Sequence, residues 1–401
     1  MKLKRTLIAA AIAALAGTAN AQVSDGVIKI GVMNDQSGTY ADLAGPGSVV
    51  AARMAVEDFG AAKKGLKVEI LVADHQNKPE VGSSIARQWF DVDKVDAIVD
   101  VPTSSVVLAV NQIAREKNKV LIVSTGATVD LTGKACTPNS VHWTYDTWSL
   151  ANGTGTAVVK NGGDTWFFLT ADYAFGHSLE QQTEAVVQKL GGKVVGKVRH
   201  PFPSADMASF LLQAQASKAK IIGLANAGAD TINALKQGAE FGIVKGGQQF
   251  AGLLVFLTDV HSLGLAIAQG LLLTESFYWD LNSQTRAFSK RFAQRHKGAM
   301  PTMGQAGVYS AVLHYLKAVE ALKSDVGDKV VARMKELPTD DPVFGKGRVR
   351  QDGRKIHDMY LFEVKKPAES KGPWDYYKLR GTIPADQAFR PEKEGGCPLV
   401  K

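Results

Sequence analysis

Residues 27–60 read VIKIGVMNDQSGTYADLAGPGSVVAARMAVEDFG, and the order of patterns in this stretch decides the fold class. The run VIKIGVM at 27–33 alternates apolar positions and is rich in β-branched residues, as a buried strand requires. Residues 34–47 hold the Gly, Asp and Ser of a loop. From Ser48 onward Val49, Ala52, Val56 and Phe59 recur at helical spacing. A strand, a loop and a helix in this order begin a βαβ unit.

The same unit repeats downstream. Residues 67–73 (KVEILVA), 95–99 and 119–123 read as strands. Between them lie a helix opened by Pro79, with Val81, Ile85 and Trp89 on one stripe, and a helix over 107–117. A second run follows Trp143-Thr144-Tyr145-Asp146. Its predicted strands are 165–169, 193–198, 221–225 and 249–255, with helices near 147–160, 177–190, 206–218 and 230–241. Alternation of this kind predicts α/β units, each a parallel sheet covered by helices on both faces. Residues 284–295 and 307–324 are helical without strands of their own and would complete the helical layer of the first unit. Near the C-terminus Gln351-Asp352-Gly353-Arg354 predicts a hairpin in which Asp-Gly supplies positive φ angles.

Length and composition agree with this division. The chain has 401 residues, too many for one typical core, with 45% apolar and 21% charged residues. Those values exclude a disordered chain and a disulfide-dense scaffold. The formal charge of +8 raises the question of a nucleic-acid partner. Part of it belongs to a leader. Residues 1–21 carry Lys2, Lys4 and Arg5, then the apolar stretch 7–16, then Ala19-Asn20-Ala21, the pattern of a secretory signal cleaved after Ala21. The apolar stretch is half the length of a bilayer span. Cleavage would remove three positive charges and deliver a soluble chain to the periplasm. There the two cysteines, Cys136 and Cys397, have one possible disulfide pairing; the alternative is two unrelated thiols.

Signals for catalysis and cofactors are weak. Gly45-Pro46-Gly47 and Gly153-Thr154-Gly155 begin like dinucleotide fingerprints but lack the third glycine, so turn glycines at a helix start explain them better. The eight His are scattered, with no pair at metal-ligand spacing, and no nucleophile elbow is present. The densest basic cluster, Lys290-Arg291 with Arg295-His296-Lys297, lies on an amphipathic helix and reads as a solvated face. The expectation is a chain without metal or cofactor, not an enzyme, and without a nucleic-acid partner.

Strand-to-helix junctions remain, and open α/β sheets bind ligands there. Residues 35–40 (DQSGTY), 102–105 (PTSS) and 124–128 (STGAT) end strands of the first unit. The last two place hydroxyls and backbone N–H groups at helix starts, where partial positive charge favours an anion. Capping accounts for one hydroxyl per helix and the excess points to a carboxylate ligand. The second unit offers Asp172-Tyr173-Ala174-Phe175-Gly176 and Asn226-Ala227-Gly228-Ala229-Asp230.

With these motifs in order, residues 27–60, Asp74-His75-Gln76 and Thr103-Ser104-Ser105, the chain resembles the leucine/isoleucine/valine-binding protein family. These are exported solute receptors of ABC importers. The resemblance implies a type I periplasmic-binding-protein fold: two Rossmann-like lobes with parallel-core sheets, joined by three crossovers and closing on a ligand. The lobes would be residues 22–144 with 277–345, and 145–276 with 346–390. Residues 391–401 would form a tail clasped to the first lobe. Hinges would lie near Thr144, Phe277 and Phe344. By resemblance, Thr103, Ser104, Gly126, Ala127 and Thr128 hold the ligand carboxylate and Tyr173 closes over it. Tyr40 would complete the fixed wall, and Phe175 and Asn226 would join on closure. Amino-acid-binding members also carry an acid in the second lobe, whereas residues 252–256 read GLLVF, leaving Asp230 and Asp259 as the nearest candidates. Together with residues 143–148 (WTYDTW) and the Gly396-Cys397-Pro398 tail, this implies an aromatic or otherwise apolar carboxylate. An amino-acid receptor and a ligand-sensing subunit are the alternatives. A membrane permease would be the partner of a monomeric receptor.

Overall fold

Two parallel sheets carry the alternation, in a computed structural model that describes residues 23–401. The expected leader, residues 1–21, lies outside the described residues. The first sheet contains β1 (Ile28–Asn34), β2 (Val68–Asp74), β3 (Ala97–Asp100), β4 (Val120–Val123) and β5 (Ser140–His142) in the order β2-β1-β3-β4-β5, all parallel. Its central strands β3 and β4 are buried throughout, as parallel strands covered on both faces must be. Ile30, Val32, Val99 and Ile122 face the helices Gly45–Phe59 and Met303–Leu322. Ile98, Leu121 and Val123 face the helices Pro79–Gln88 and Ser104–Glu116. Thus a chain segment from beyond residue 300 completes the first unit's helical layer, and Gly47 lets Gln305 approach where a Cβ would collide.

The second sheet is β6 (Thr165–Ala171), β7 (Lys193–His200), β8 (Ile221–Ala225) and β9 (Gln249–Gly252), in the order β7-β6-β8-β9 and parallel. Phe167, Leu169, Ile222 and Leu224 pack on the helices Ala208–Ala216 and Ala229–Glu240. Trp166 and Phe168 pack on the opposite face with Leu150, Leu179 and Val187. Each such side chain contributes about 1.5–3 kcal/mol by leaving water. The helix expected over 147–160 is interrupted by a wide turn at Ala151–Gly155, where Gly153 sits against Thr274. The glycines there serve close packing. β10 (Leu272–Glu275) belongs to a separate antiparallel sheet completed by strands from the C-terminal quarter.

Those strands are β11 (Thr339–Asp341), β12 (Gly345–Val349), β13 (Lys355–Ile356), β14 (Met359–Val364) and β15 (Tyr377–Ile383). The first three form a small antiparallel sheet, and β14 lies between β10 and β15. The hairpin between β12 and β13 forms around Asp352-Gly353, but only Gly353 takes a positive φ, of 84°. Asp352 instead turns its carboxylate to the Arg354 N–H, 3.0 Å away, and to Arg350. The expected lobe boundary at 345/346 falls within β12. The hairpin continues along the edge of the first sheet, where the His142 N–H donates to the Gly353 carbonyl at 2.9 Å. Arg354 explains that placement: fully buried, it donates to the Tyr145 carbonyl at 3.1 Å and lies 4.3 Å from the Phe389 ring centroid. The chain leaves the first sheet with β14. A disulfide joins Cys136 to Cys397 and brings the tail back to the loop after β4.

Candidate functional site

The carboxyl ends of β1, β3 and β4 converge on one fully buried carboxylate, Asp100. It accepts hydrogen bonds from Asn34 Nδ2 at 2.8 Å and Thr125 Oγ1 at 2.5 Å. Burial pushes its pKa up against these bonds. Asp100 and Val101 both have positive φ, 86° and 53°. For a β-branched residue this is a sparsely populated conformation, the kind found where a site over-determines its backbone. The adjacent loop depends on it: a Cβ at Gly126 would lie 2.6 Å from the Val101 carbonyl oxygen. Asp35 organises the loop after β1 in the same manner. Its carboxylate accepts from the N–H groups of Gly38 and Tyr40 and from Asn77 Nδ2, at 2.6, 2.8 and 2.6 Å, and thereby presents Tyr40.

Hydroxyls on this wall mostly hold the loops together. Thr103 donates to Asn77, the Ser104 oxygen accepts from the Thr128 N–H at 3.2 Å, and Thr128 accepts from the Asp130 N–H. Among the described residues, the backbone N–H groups without a protein acceptor include those of Thr125, Gly126 and Ala127 and those opening the helix Ser104–Glu116, and the Ser48 and Ser124 hydroxyls are buried without a partner as well. One loop with free N–H groups and one helix start make this end of the site complementary to an anion.

The facing wall is aromatic. Tyr173 precedes the helix Ala174–Lys189, and its hydroxyl bonds that of Tyr40 across the cleft. Phe202 stacks on Tyr173 at 4.3 Å and on Tyr40 at 5.4 Å. Burial, with the two hydroxyls facing each other, pushes the Tyr40 pKa well up. Gly228, with φ 58°, lets the second wall approach the Thr39 carbonyl, to which Ala229 N–H donates at 3.3 Å. Tyr145, on the crossover, donates to the Thr125 carbonyl at 2.8 Å and meets Phe256 edge-on at 6.0 Å.

Between the walls lies a cavity of about 10 Å³ lined from the first wall by Tyr40, Leu43, Pro102, Thr125 and Ala127. Tyr145, Tyr173, Phe175, Ala227, Leu254 and Phe256 line the rest. The walls nearly meet, so the cleft is closed and an organic ligand enters only if they part. Of the residues expected from sequence, Tyr40, Ala127, Tyr173 and Phe175 line the cavity. Thr103, Ser104, Gly126 and Thr128 are buried but not among the lining residues. Asn226 points into the second unit, bonded to His200 and Thr231 at 3.1 and 2.6 Å.

Sequence reading did not nominate Leu43, Pro102, Thr125, Tyr145, Ala227, Leu254 or Phe256. Pro102, Thr125, Tyr145 and Ala227 lay inside motifs already marked; Leu43, Leu254 and Phe256 are apolar and indistinguishable from core by sequence. Asp230 and Asp259 do not line the cavity. Asp259 accepts the Phe256 N–H at 2.8 Å, and Asp230 accepts the Ser204 N–H at 3.0 Å. Burial raises each to about 7.

A cleft at the carboxyl ends of two parallel sheets, with recognition groups on both walls, matches a known family over most of the chain. The sequence profile described as periplasmic binding protein matches residues 27–372. The chain belongs to this family. A solved periplasmic binding protein from Burkholderia mallei is 52% identical, with a TM-score of 0.91, covering 94% of this chain and 100% of that one. A branched-chain amino acid ABC transporter periplasmic ligand-binding protein from Burkholderia xenovorans LB400 is 42% identical, TM-score 0.82, covering 93% and 100%. At 22% identity and TM-score 0.81, covering 93% and 100%, a solute-binding protein of an ABC transporter from R. palustris in complex with benzoate shares the fold. The family comprises solute receptors, so this periplasmic binding protein is a receptor and not an enzyme. The two-lobed α/β architecture implied by the resemblance is the one found.

Proposed function

We propose that the protein is the exported receptor of an ABC importer and captures a small carboxylate with an aromatic or other apolar body by closure of its two lobes. The observation that carries this reading is the composition of the cavity wall. Free N–H groups lie at one end, aromatic and aliphatic side chains surround the rest, and among the described residues no acidic side chain lines it. N–H groups and a helix start would receive the carboxylate; Tyr40, Tyr173, Phe175 and Phe256 would enclose the body. An amino acid would place an ammonium in the same enclosure without a counter-charge, at a cost of several kcal/mol. The benzoate complex of the R. palustris relative supports an aromatic acid on this fold.

The family supports a periplasmic location, and the leader pattern at 1–21 supplies the route. The partner in this reading is a membrane permease. Branched-chain amino acids are the second reading, favoured by the description of the 42% identical relative. In that reading Asp230 or Asp259 would turn into the cavity. A thermal-shift series decides between them. Benzoate, 4-hydroxybenzoate and cinnamate are expected to raise the melting temperature, and leucine and valine to leave it unchanged. A rise with the amino acids alone would reject the aromatic-acid reading.

A further inference from the structure

The two segments that wall the cavity present a second face to the outside. Tyr40 and Leu43 point inward, while Ala41 and Asp42 between them face a groove of about 870 Å³. Leu254 and Phe256 point inward, while Thr258 and His261 face the same groove. Its lining comes from both sides of the cleft, so the groove takes this shape only when the walls are together.

The first side has an apolar floor of Val49, Val50 and Val72. Val72 is 41% exposed, on a sheet whose other valines are mostly covered. Arg53 and Lys297 border this floor, both exposed, with His296 beside them. Nearby Arg291 and Arg295 are paired with Asp58 and Glu57 at 2.6 and 2.9 Å. Among the described residues Arg53 and Lys297 pair with no carboxylate, and Asp42 is the one acid in the lining.

The opposite side is an aromatic platform. Trp374 has φ 71°, an outlier for a bulky residue. Two hydrogen bonds to its carbonyl oxygen hold it there, from Trp279 Nε1 at 2.7 Å and Tyr278 Oη at 3.0 Å. The strained backbone places the indole flat against His261, at 4.0 Å and 7° between planes. His261 is fixed in turn by Tyr376 Oη, 2.7 Å from Nδ1. Neither ring is in the core: Trp374 is half-buried and His261 exposed. Strain maintained at a surface ring pair, opposite unpaired cations and an apolar floor, is the arrangement of a ligand site.

We propose that this groove is a second binding site, for a planar aromatic monoanion that stacks on the Trp374–His261 platform and directs its charge toward Arg53 and Lys297. The site is separate from the cavity, and it is assembled by closure.

Titration of the full mature chain with 2-naphthoate, by calorimetry and saturation-transfer NMR, tests this. Beyond any event in the cavity, a second, weaker event is expected, falling about tenfold between 50 and 500 mM NaCl through screening of exposed charges. Trp374→Leu and the double reversal Arg53→Glu/Lys297→Glu should each abolish the second event and leave the first within about twofold, since neither set touches the cavity wall. The charge reversal lies on exposed positions and decides the matter if Trp374→Leu fails to fold. Saturation at one equivalent up to the solubility limit, by an event that the charge reversal leaves intact, overturns the proposal. So does a second event that survives the reversal, or one that acetate, charged but ringless, reproduces. A groove event without a cavity event leaves this proposal standing and rejects the aromatic-acid reading of the cavity.

Discussion

The two walls of the cleft are built on opposite principles. In the first, recognition is assigned to backbone N–H groups, and side chains serve to hold that backbone: Asp35, Asp100, Thr103, Ser104 and Thr128 all hydrogen-bond within the wall. The disulfide tail braces the same loops, with Arg390 donating to the Val129 carbonyl at 3.2 Å. In the second wall the rings of Tyr173, Phe175 and Phe256 make the surface themselves; Tyr173 packs on Phe175 and Phe202, Phe202 stacks on Tyr40 of the first wall, and Phe256 meets Tyr145 of the crossover edge-on. A fixed array of dipoles suits a charge, because it needs no reorganisation when the anion arrives. Packed rings suit shape. The comparison teaches that affinity for the anionic end and selectivity for the body are separable by mutation.

The strongest challenge to the first wall is Asp100→Ala. It leaves the Thr125 hydroxyl and one of the two Asn34 Nδ2 hydrogens buried without acceptors, the other still bonded to the Gly45 carbonyl at 3.0 Å, and frees the positive-φ turn at Val101. Urea denaturation should show a loss of about 4 kcal/mol, the sum of two buried unsatisfied groups, and binding should vanish with it. Asp100→Asn restores one acceptor and should recover part of both. Cys136→Ser with Cys397→Ser comes next. Losing this long-range clasp should cost about 3 kcal/mol and weaken ligand binding through the loop after β4, while ligand preference stays unchanged. A changed preference would break the separation of roles.

The second wall has its own pH signature. Burial raises Asp230 and Asp259 from 3.8 to about 7. Between those values the folded chain holds protons that the unfolded chain has released, so stability falls as pH rises through the window and the penalty is complete above about 7. The slope is about 1.4 kcal/mol per pH unit for each group. Asp230→Asn with Asp259→Asn should flatten the curve of urea midpoint against pH between about 4 and 7. An unchanged curve would place the titration elsewhere.

The fold was legible because its signals are local and periodic: residues 221–225 were predicted as a strand and β8 occupies those positions. The strand-to-helix junctions 35–40, 102–105 and 124–128 were legible as places, less so as chemistry. Thr103, Ser104 and Thr128 were nominated for their hydroxyls, yet those oxygens hydrogen-bond neighbouring loops, and the free donors beside them are N–H groups that every residue type but proline carries. Nothing in a one-dimensional string distinguishes an N–H that will find an acceptor from one that will not. Phe256 and Leu254 escaped notice for a related reason, since an apolar run at a strand end reads as core until the opposite wall is known. Arg354 likewise gives no outward sign in the sequence that it will be fully buried.

The smallest expected effect bears most directly on how the walls meet. The Tyr40 and Tyr173 hydroxyls bond across the cleft, and Phe202 lies against both rings. Tyr173→Phe keeps the rings and removes one hydroxyl, so the cost to the closed state should be about 1 kcal/mol, a few-fold in population. If closure traps the ligand, that population change should appear as faster dissociation with little change in association, since the open cleft is the same in both proteins. Stopped-flow displacement of a bound aromatic acid measures both rates. An equal loss in association would mean that the hydroxyl pair guides the ligand into the open cleft, and the aromatic wall would then share the recognition of charge that the comparison assigns to the first wall.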